Sequence, residues 1–203
     1  MVNNKLIKNK SVNNHFEKGP ESWCSYDYHG SVVSETNNFI LATHEKNGGV
    51  NDSGYIWVDQ TRWSADTPES PISILPLIFY RNWVDKQSIN LLDADVSVYL
   101  RSDNLQLDGA QCFFWILYNN TRWHYIDVPL VISENQWANK PQLFPINPDE
   151  SKWNNSWSII PNQPEPLLSV IENCESYGFS FVGFKQEPKG RLGMDEFTIK
   201  CLS

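Results

Sequence analysis

Two short segments repeat a Thr-Arg-Trp sequence and carry side chains suited to holding a ligand. They are DQTRW at 59–63 and NNTRWHY at 119–125. Tryptophan offers a flat apolar ring, and the planar fork of arginine can hold a carboxylate or a sulfate through two hydrogen bonds. A saccharide needs this combination, because its C–H face packs on a ring while its hydroxyl groups need polar partners. The doubled pair therefore predicts a saccharide site.

The strand that precedes the first pair supplies further candidates. Alternation along SGYIWVD at 53–59 directs Ile56 and Val58 inward and leaves the intervening side chains outward. We expect a single site built from both segments, with these members: Tyr55, Trp57, Asp59, Arg62, Trp63, Arg122, Trp123, His124 and Tyr125. For the two segments to share a site, their strands must lie near each other on one sheet face or rim.

The two arginines also bear on the type of ligand. A guanidinium fork suits a carboxylate, so Arg62 and Arg122 favour an acidic glycan. The structural alternative is that each arginine stacks on a neighbouring Trp ring or pairs with Asp59 or Asp127 at the sheet surface. Sequence alone leaves both alternatives open.

Catalysis would need other residues. YDYHGS at 26–31 groups Tyr26, Tyr28 and His29 near Asp27, and a lyase could use such a Tyr/His pair to remove a proton beside a uronic acid. A glycoside hydrolase needs two carboxylates across a cleft, and no spacing marks such a pair. Phosphate loops, nucleophile elbows and zinc-type histidine spacings are absent from the sequence. We expect binding without catalysis; the alternatives are a polysaccharide lyase before a hydrolase, or a structural, protein-interaction module.

Composition narrows the partners and the compartment. The 203 residues carry a net charge of −8, which argues against nucleic acid as a partner. No apolar stretch approaches the length of a membrane span, so we expect no membrane insertion. The first residues lack the apolar run of a secretory signal, which favours the cytoplasm. The cysteines form no C-x-x-C pair, which predicts four free thiols: Cys24, Cys112, Cys174 and Cys201.

The elements that position these residues have the pattern of short β-strands. Runs rich in β-branched and aromatic residues are separated by Gly, Pro, Asn and Asp. The runs are 37–43, 53–59, 72–80, 94–101, 110–118, 121–127, 129–132, 156–160, 177–184 and 191–200. Helical periodicity is confined to 166–174, and the run 110–118 is apolar on both faces, as a central strand would be. We expect residues 1–14 to form a frayed leader and residues 15–203 a single domain.

Many short strands and almost no helix predict an all-β fold. We expect a two-sheet antiparallel β-sandwich, a jelly roll as the first choice and a legume-lectin-like sandwich as the second. The last strand changes phase at Asp195-Glu196. Leu192 and Met194 share one parity before this point, and Phe197 has the other. Such a change of phase predicts a β-bulge.

The C-terminal quarter carries a pattern of strands found in a known group of domains. The pattern comprises KWNNSWSIIP, then PLLSVI before Gly178-Phe179, then GRLGMDEFTI, and LLDADVSVYLRSDNL at 91–105 adds a further strand. Together these segments resemble galactose-binding-like jelly rolls of the carbohydrate-binding-module type. The resemblance implies a lectin-like module that binds oligo- or polysaccharides. It also implies a structural calcium ion, with Asp195 near the last strand and Glu21 as ligands.

Overall fold

A computed structural model describes residues 11–26, 33–36, 38–59, 73–84, 87–160, 163–184 and 189–201 of the protein. In chain order the strands are β1 (Val12–Asn14), β2 (Cys24–Tyr26), β3 (Phe39–Leu41), β4 (Thr43–Glu45), β5 (Tyr55–Val58), β6 (Ser73–Tyr80), β7 (Ala94–Asp103), β8 (Gln111–Tyr118), β9 (Thr121–Tyr125), β10 (Ser133–Glu134), β11 (Gln142–Pro145), β12 (Trp153–Ser158), β13 (Ser176–Val182) and β14 (Arg191–Cys201). Short α-helices span Arg81–Val84 and Leu167–Glu172, the second lying in the segment with helical periodicity. Single 3₁₀ turns span Val50–Asp52 and Glu150–Lys152.

The strands form two sheets. Sheet A has the order β10-β7-β14-β5-β4, with β1 paired to β14 and β11 paired to β7. Sheet B has the order β12-β9-β8-β13-β6-β2-β3. Every pairing between the named strands is antiparallel except that of β10 with β7.

The strand order is that of a jelly roll. Sheet A contains the consecutive strands β5-β14-β7-β10, and sheet B contains β6-β13-β8-β9. Consecutive strands from β5 to β8 alternate between the two sheets, and β13 and β14 then return to the middle of each sheet. This is the interleaving that defines a jelly roll, so the predicted all-β, two-sheet fold is confirmed.

Aromatic side chains dominate the core between the sheets. Trp23 lies at its centre, with ring centroids 4.9 Å from Phe197, 5.7 Å from Phe79 and Tyr177, and 6.2 Å from Phe179. Sheet A contributes aliphatic residues through strict alternation, as in β7, where every second side chain is buried. Rings at these separations add attraction beyond the apolar area they bury. The core therefore fixes the relative position of the two sheets.

Several predictions of local structure are confirmed and others are wrong. The register of β14 against β7 shifts between Asp195 and Thr198, which is the predicted bulge. The predicted leader, by contrast, includes β1, because Val12 pairs with Ile199 and packs on the core. Four further strands, β2, β4, β10 and β11, were not predicted. The run 129–132 contributes only a single bridge, between Leu130 and Cys112. Short strands such as these are held by tertiary pairing rather than by their own sequence.

The four cysteines are free thiols, as predicted. Burial raises the pKa of Cys24 and of Cys174 to about 12. Cys201, at the end of β14, is half-buried, and burial raises its pKa as well. In the described part of the chain, no helix is long and apolar enough to cross a membrane.

Candidate ligand-binding face

Trp57 and Arg122, which were expected to share a site, lie in different sheets. Trp57 lies in β5 of sheet A, and Arg122 lies in β9 of sheet B. Both side chains point away from the core, so they occupy opposite outer faces of the sandwich. For these described members, the prediction of a single shared site is therefore wrong. Arg62 and Trp63 lie outside the described residues, as do Asp27, Tyr28 and His29, and Asp59 is exposed just after β5.

On the outer face of sheet A, Trp57 takes part in a stack of arginines and rings. The guanidinium of Arg191 lies 3.9 Å from the centre of the half-buried Trp57 ring. The indole N–H of Trp57 donates to Glu45 Oε1 at 3.1 Å. Stacking of arginine on a ring was the structural alternative, and sheet A realises it with a different arginine from the predicted Arg62.

A second stack continues on the same face. Arg101 lies 4.8 Å from the Tyr55 ring centre and 4.5 Å from that of Trp137. Its terminal nitrogens donate to Gly48 O and to Asp103 Oδ2, each at 3.1 Å. The Nε of Arg101 lies 2.9 Å from Asp103 Oδ1 but outside hydrogen-bond geometry, so that contact is an ion pair only. Trp137 donates its N–H to Gly48 O at 2.7 Å. The polar groups of this face are largely satisfied by one another.

The second segment is divided between the two faces of sheet B by strand alternation. Trp123 and Tyr125 pack on the core, where Tyr125 stacks on Phe144 with centroids 5.7 Å apart. These two predicted site residues therefore cannot contact a ligand on the outer face. Arg122 and His124 point outward and are only 6% and 3% exposed.

The hydroxyl group of Tyr125 is hydrogen-bonded to a carboxylate at the edge of the core. Its hydroxyl donates to Asp127 Oδ2 at 3.2 Å, and burial together with this contact raises the pKa of Tyr125 to about 12. Asp127 also forms an ion pair with Lys152 at 3.0 Å. Asp127 therefore has structural partners of its own.

His124 belongs to a row of outward side chains that crosses all seven strands of sheet B. Strand registers place these residues side by side in the order Asn154, His124, Trp115, Gly178, Ile78, Cys24 and Leu41. Six inter-strand spacings of about 4.8 Å make the row about 29 Å long. One half of the row is polar and the other half is apolar, with an indole and a glycine between them.

Trp115 and Gly178 form the centre of the row as a fitted pair. A Cβ at Gly178 would overlap the carbonyl oxygen of Leu77 and would lie 2.9 Å from Trp115 Cζ2. The indole therefore lies across β13 in the space that a side chain would fill. Trp115 is 1% exposed and packs with Cys24 and Ile78, apart from the main core.

Two serines flank Gly178 on the same face of β13 and differ in their partners. The Oγ of Ser180 lies 2.5 Å from His124 Nε2. Among the described residues, neither the Oγ of Ser176 nor the Nε1 of Trp115 has a hydrogen-bond partner, although both atoms are buried. Buried polar atoms in native proteins are nearly always paired, so two unpaired atoms on one face are notable.

The charge on this face depends on His124 and Arg122. Burial, and then the neighbouring positive charge of Arg122, hold the pKa of His124 well below its usual range. His124 is therefore neutral at physiological pH. The Nε of Arg122 donates to Ser156 Oγ at 2.9 Å, which ties the guanidinium to β12.

Aromatic side chains are exposed at both edges of sheet B. Near β3, Phe39 contacts Tyr26 with centroids 5.2 Å apart and Trp83 with centroids 4.4 Å apart. Trp83 is 55% exposed, and Trp157 in the opposite edge strand is 38% exposed. Exposed rings at the two edges therefore flank the buried row.

The carboxylates predicted to hold calcium are engaged by hydrogen-bond donors. Asp195 is fully buried; its Oδ2 accepts from Val50 N at 2.7 Å and from Ser53 Oγ at 2.9 Å. Its Oδ1 accepts from Glu196 N at 2.7 Å. Burial raises the pKa of Asp195, and these hydrogen bonds act in the opposite direction.

Glu21 is engaged in the same way. It accepts from Phe16 N at 2.7 Å and from Asn14 Nδ2 at 2.6 Å. Calcium needs six to eight oxygen ligands, and among the described residues no group of three or more His, Cys, Asp or Glu could hold a metal ion. As arranged here, these two carboxylates do not fit a calcium ion, and the calcium site remains a prediction of the resemblance.

Trp115, Ser176, Gly178 and Ser180 were missed as site residues from the sequence. A signal was nevertheless present in SYGFS at 176–180, where Tyr177 and Phe179 alternate with small residues. A strand with rings on one face and only small residues on the other leaves room for a large side chain from its neighbour. Combined with the doubly apolar run 110–118, this pattern indicates that a large residue such as Trp115 covers the small face.

Comparison with known proteins reveals similarity of fold between distant sequences. No family model matches the chain, and no curated protein is significantly similar to it. The solution structure of CtCBM11 is 12% identical, with a TM-score of 0.49, 98% of this chain covered and 99% of that one. The family 11 carbohydrate-binding module from Clostridium thermocellum in complex with a β-1,3-1,4-mixed-linked tetrasaccharide is 11% identical, with a TM-score of 0.47 and coverage of 94% and 95%.

A third structure contains the CBM22-1 and GH10 modules of the Clostridium thermocellum endo-1,4-β-D-xylanase 10B complexed with xylohexaose. It is 10% identical with a TM-score of 0.49, and the match covers 95% of this chain but 28% of that one. These likenesses say nothing about the ligand of this chain, and its jelly-roll assignment rests on its own strand order.

Proposed function

We propose that the protein binds an oligo- or polysaccharide on the outer face of sheet B, without catalysing a reaction on it. The single observation that carries the proposal is the row that crosses this face. Exposed rings flank the row at both edges of the sheet, the row carries uncharged hydrogen-bonding groups, and buried polar atoms in its middle have no partner among the described residues. The outer face of sheet A lacks this combination, because its rings are covered by arginines.

The polarity of the row suits a sugar chain. A pyranose has an apolar C–H face that packs on rings and a rim of hydroxyl groups that needs both donors and acceptors. Asn154, neutral His124 and Ser176 supply such groups near β13 and β12. Tyr26, Phe39 and Trp83 supply rings at the other edge. A ligand lying along the row would meet both kinds of surface.

The finer prediction, an acidic glycan, needs a cation on this face. Arg122 is such a cation; it is 6% exposed, and its Nε is bound to Ser156. If Arg122 holds a uronic acid carboxylate, Arg122→Lys would weaken binding of alginate or pectin fragments and leave binding of neutral glycans unchanged, because lysine lacks the planar fork.

A glycan array of neutral and acidic polysaccharides tests the function, and two variants test the face. Trp83→Ala removes an exposed ring beside sheet B and should weaken binding of the retained glycan by about 1–2 kcal/mol. Trp57→Ala removes a ring of similar size from sheet A and should leave the affinity unchanged. An array that retains no signal contradicts the function, and equal loss in both variants contradicts the face.

A further inference from the structure

The loop that follows β4 contains the dipeptide Asn47-Gly48, and both of its residues are exposed to solvent. The sequence contains no other Asn-Gly pair. Asparagine is among the thermolabile residues of proteins, and a following glycine makes it most reactive, because no Cβ hinders the approach of the next backbone nitrogen. The side chain of Asn47 has no hydrogen bond to any described residue, so it can turn toward the nitrogen of Gly48.

Gly48 is bound through both of its backbone polar groups. Its N–H donates to Asp52 Oδ1 at 3.0 Å. Its carbonyl oxygen accepts from Trp137 Nε1 at 2.7 Å and from Arg101 at 3.1 Å, which ties the loop to the outer face of sheet A. Its φ of +86° lies in the left-handed region that glycine adopts without strain. The nitrogen beside Asn47 therefore has a partner within its own loop.

We propose that Asn47 is a site of spontaneous deamidation and that the hydrogen bond from Gly48 N to Asp52 sets its rate. The nitrogen of Gly48 attacks the side-chain carbonyl carbon of Asn47, so that a new N–C bond closes a cyclic succinimide. The bond from this carbon to the amide nitrogen breaks, and the amide group leaves as ammonia with the proton of the Gly48 nitrogen. Water then opens the ring at either carbonyl group and leaves aspartate or isoaspartate at position 47.

Asp52 slows this reaction because it holds the attacking nitrogen. Ring closure brings the nitrogen of Gly48 toward the side-chain carbon of Asn47, so its N–H must first leave the carboxylate. Hydrogen bonds to an ionised acceptor are about twice as strong as bonds between neutral groups. Loss of this bond should therefore raise the rate about tenfold, which corresponds to about 1.4 kcal/mol.

Deamidation would alter sheet A and not the proposed glycan face. It adds one negative charge to a chain whose net charge is −8. Isoaspartate also lengthens the main chain by one carbon atom directly before Gly48. The carbonyl oxygen of Gly48 could then no longer meet Arg101 and Trp137 together. The inference goes beyond the proposed function and is independent of it, because the proposed ligand lies on sheet B.

Ageing of the whole protein in mildly alkaline buffer tests the proposal. Peptide mass mapping with fragmentation locates each exchange of NH for O. Asp52→Ala removes the acceptor, and Asn51→Ala is the matched control, because φ is +63° at Asp52 and +56° at Asn51 and alanine strains both positions alike. We expect the wild type to gain aspartate and isoaspartate at position 47. The rate should be about tenfold higher in Asp52→Ala and unchanged in Asn51→Ala.

Asn155 is an internal reference. It precedes the small residue Ser156, yet its side-chain amide donates to Arg122 O at 3.1 Å, so it should stay unmodified. Absence of product at position 47 in both the wild type and Asp52→Ala overturns the proposal. Equal acceleration in the two alanine variants, or a slower reaction in Asp52→Ala, overturns the role of Asp52. Should Asp52→Ala fail to fold, Asp52→Asn keeps a neutral acceptor and should give a smaller acceleration; an unchanged rate there contradicts the proposal.

Discussion

The two outer faces of the sandwich differ in how their aromatic and polar side chains are paired. On sheet A, Arg191 stacks on the ring of Trp57, and Arg101 lies over the rings of Tyr55 and Trp137. The N–H groups of Trp57, Arg101 and Trp137 donate to carboxylate groups or to a backbone carbonyl oxygen. On sheet B, the indole of Trp115 is almost completely buried and its N–H has no acceptor.

Under the proposed function, the difference separates a face stabilised by its own pairings from a face that would bind the ligand. A face whose donors and acceptors satisfy one another has little to offer a ligand, because each new hydrogen bond replaces an existing one. Buried donors that stay unpaired lower the free energy of unfolding of the protein. Active and binding sites are where proteins commonly retain such costs.

The largest expected effect concerns a glycine on each face. Gly178→Ala should destabilise the protein by about 3 kcal/mol or more, because its Cβ would overlap Leu77 O and press on Trp115. Gly193→Ala on sheet A is the matched change, and its Cβ would come no closer than 3.4 Å to Trp137. It should change stability by less than about 1 kcal/mol. Urea denaturation measures both values, and similar losses would contradict the fit of Trp115 over Gly178.

The two serines beside Gly178 provide a smaller contrast within sheet B. Ser180→Ala leaves the buried His124 nitrogen without a partner and should cost about 2 kcal/mol. Ser176→Ala removes an oxygen that has no partner and should stay within about 0.5 kcal/mol of the wild type. Equal costs in thermal unfolding would mean that Ser176 has a hidden structural partner.

The buried histidine should make stability depend on pH. Because the folded pKa of His124 lies well below its unfolded value of about 6.5, the unfolded chain takes up the proton first as pH falls. Stability should therefore decrease below about pH 6.5, by up to about 1.4 kcal/mol per pH unit from this residue. Unfolding free energies between pH 7.5 and 5 should fall less steeply in His124→Gln. An unchanged slope would show that another group dominates.

The smallest expected effect is that of calcium. Asp195 and Glu21 already accept hydrogen bonds from backbone and side-chain donors. We expect excess chelator and added calcium to leave the melting temperature within about 1 °C of its starting value. An ion bound only to the native state would stabilise it by mass action, so a clear rise with calcium would establish the site that the resemblance implies.

Alternation and phase were sufficient to predict the fold and one local irregularity. The doubly apolar run 110–118 became the strand β8 near the centre of sheet B, and the change of phase at Asp195 became a bulge. The candidate site was less predictable, because a sequence does not say which sheet a strand joins. Trp57 and Arg122 both point outward from their strands, yet they lie on the outer faces of different sheets. The unpaired atoms of Trp115 and Ser176 depend on side chains distant in sequence, which no local pattern contains.

One member of the row on sheet B, Cys24, has a practical consequence. Its thiol is buried, donates to Ile78 O at 3.3 Å and has a pKa of about 12, so the reactive thiolate is almost absent while the face stays covered. Alkylation by iodoacetamide can proceed only during excursions that admit solvent to this face. The rate at which Cys24 is alkylated, followed by peptide mass mapping, therefore measures how often this face opens to solvent. The alkylation rate of the core residue Cys174 is the reference for global unfolding. A sugar bound on the row would lower the alkylation rate of Cys24, so this measurement needs no spectroscopic signal from the sugar.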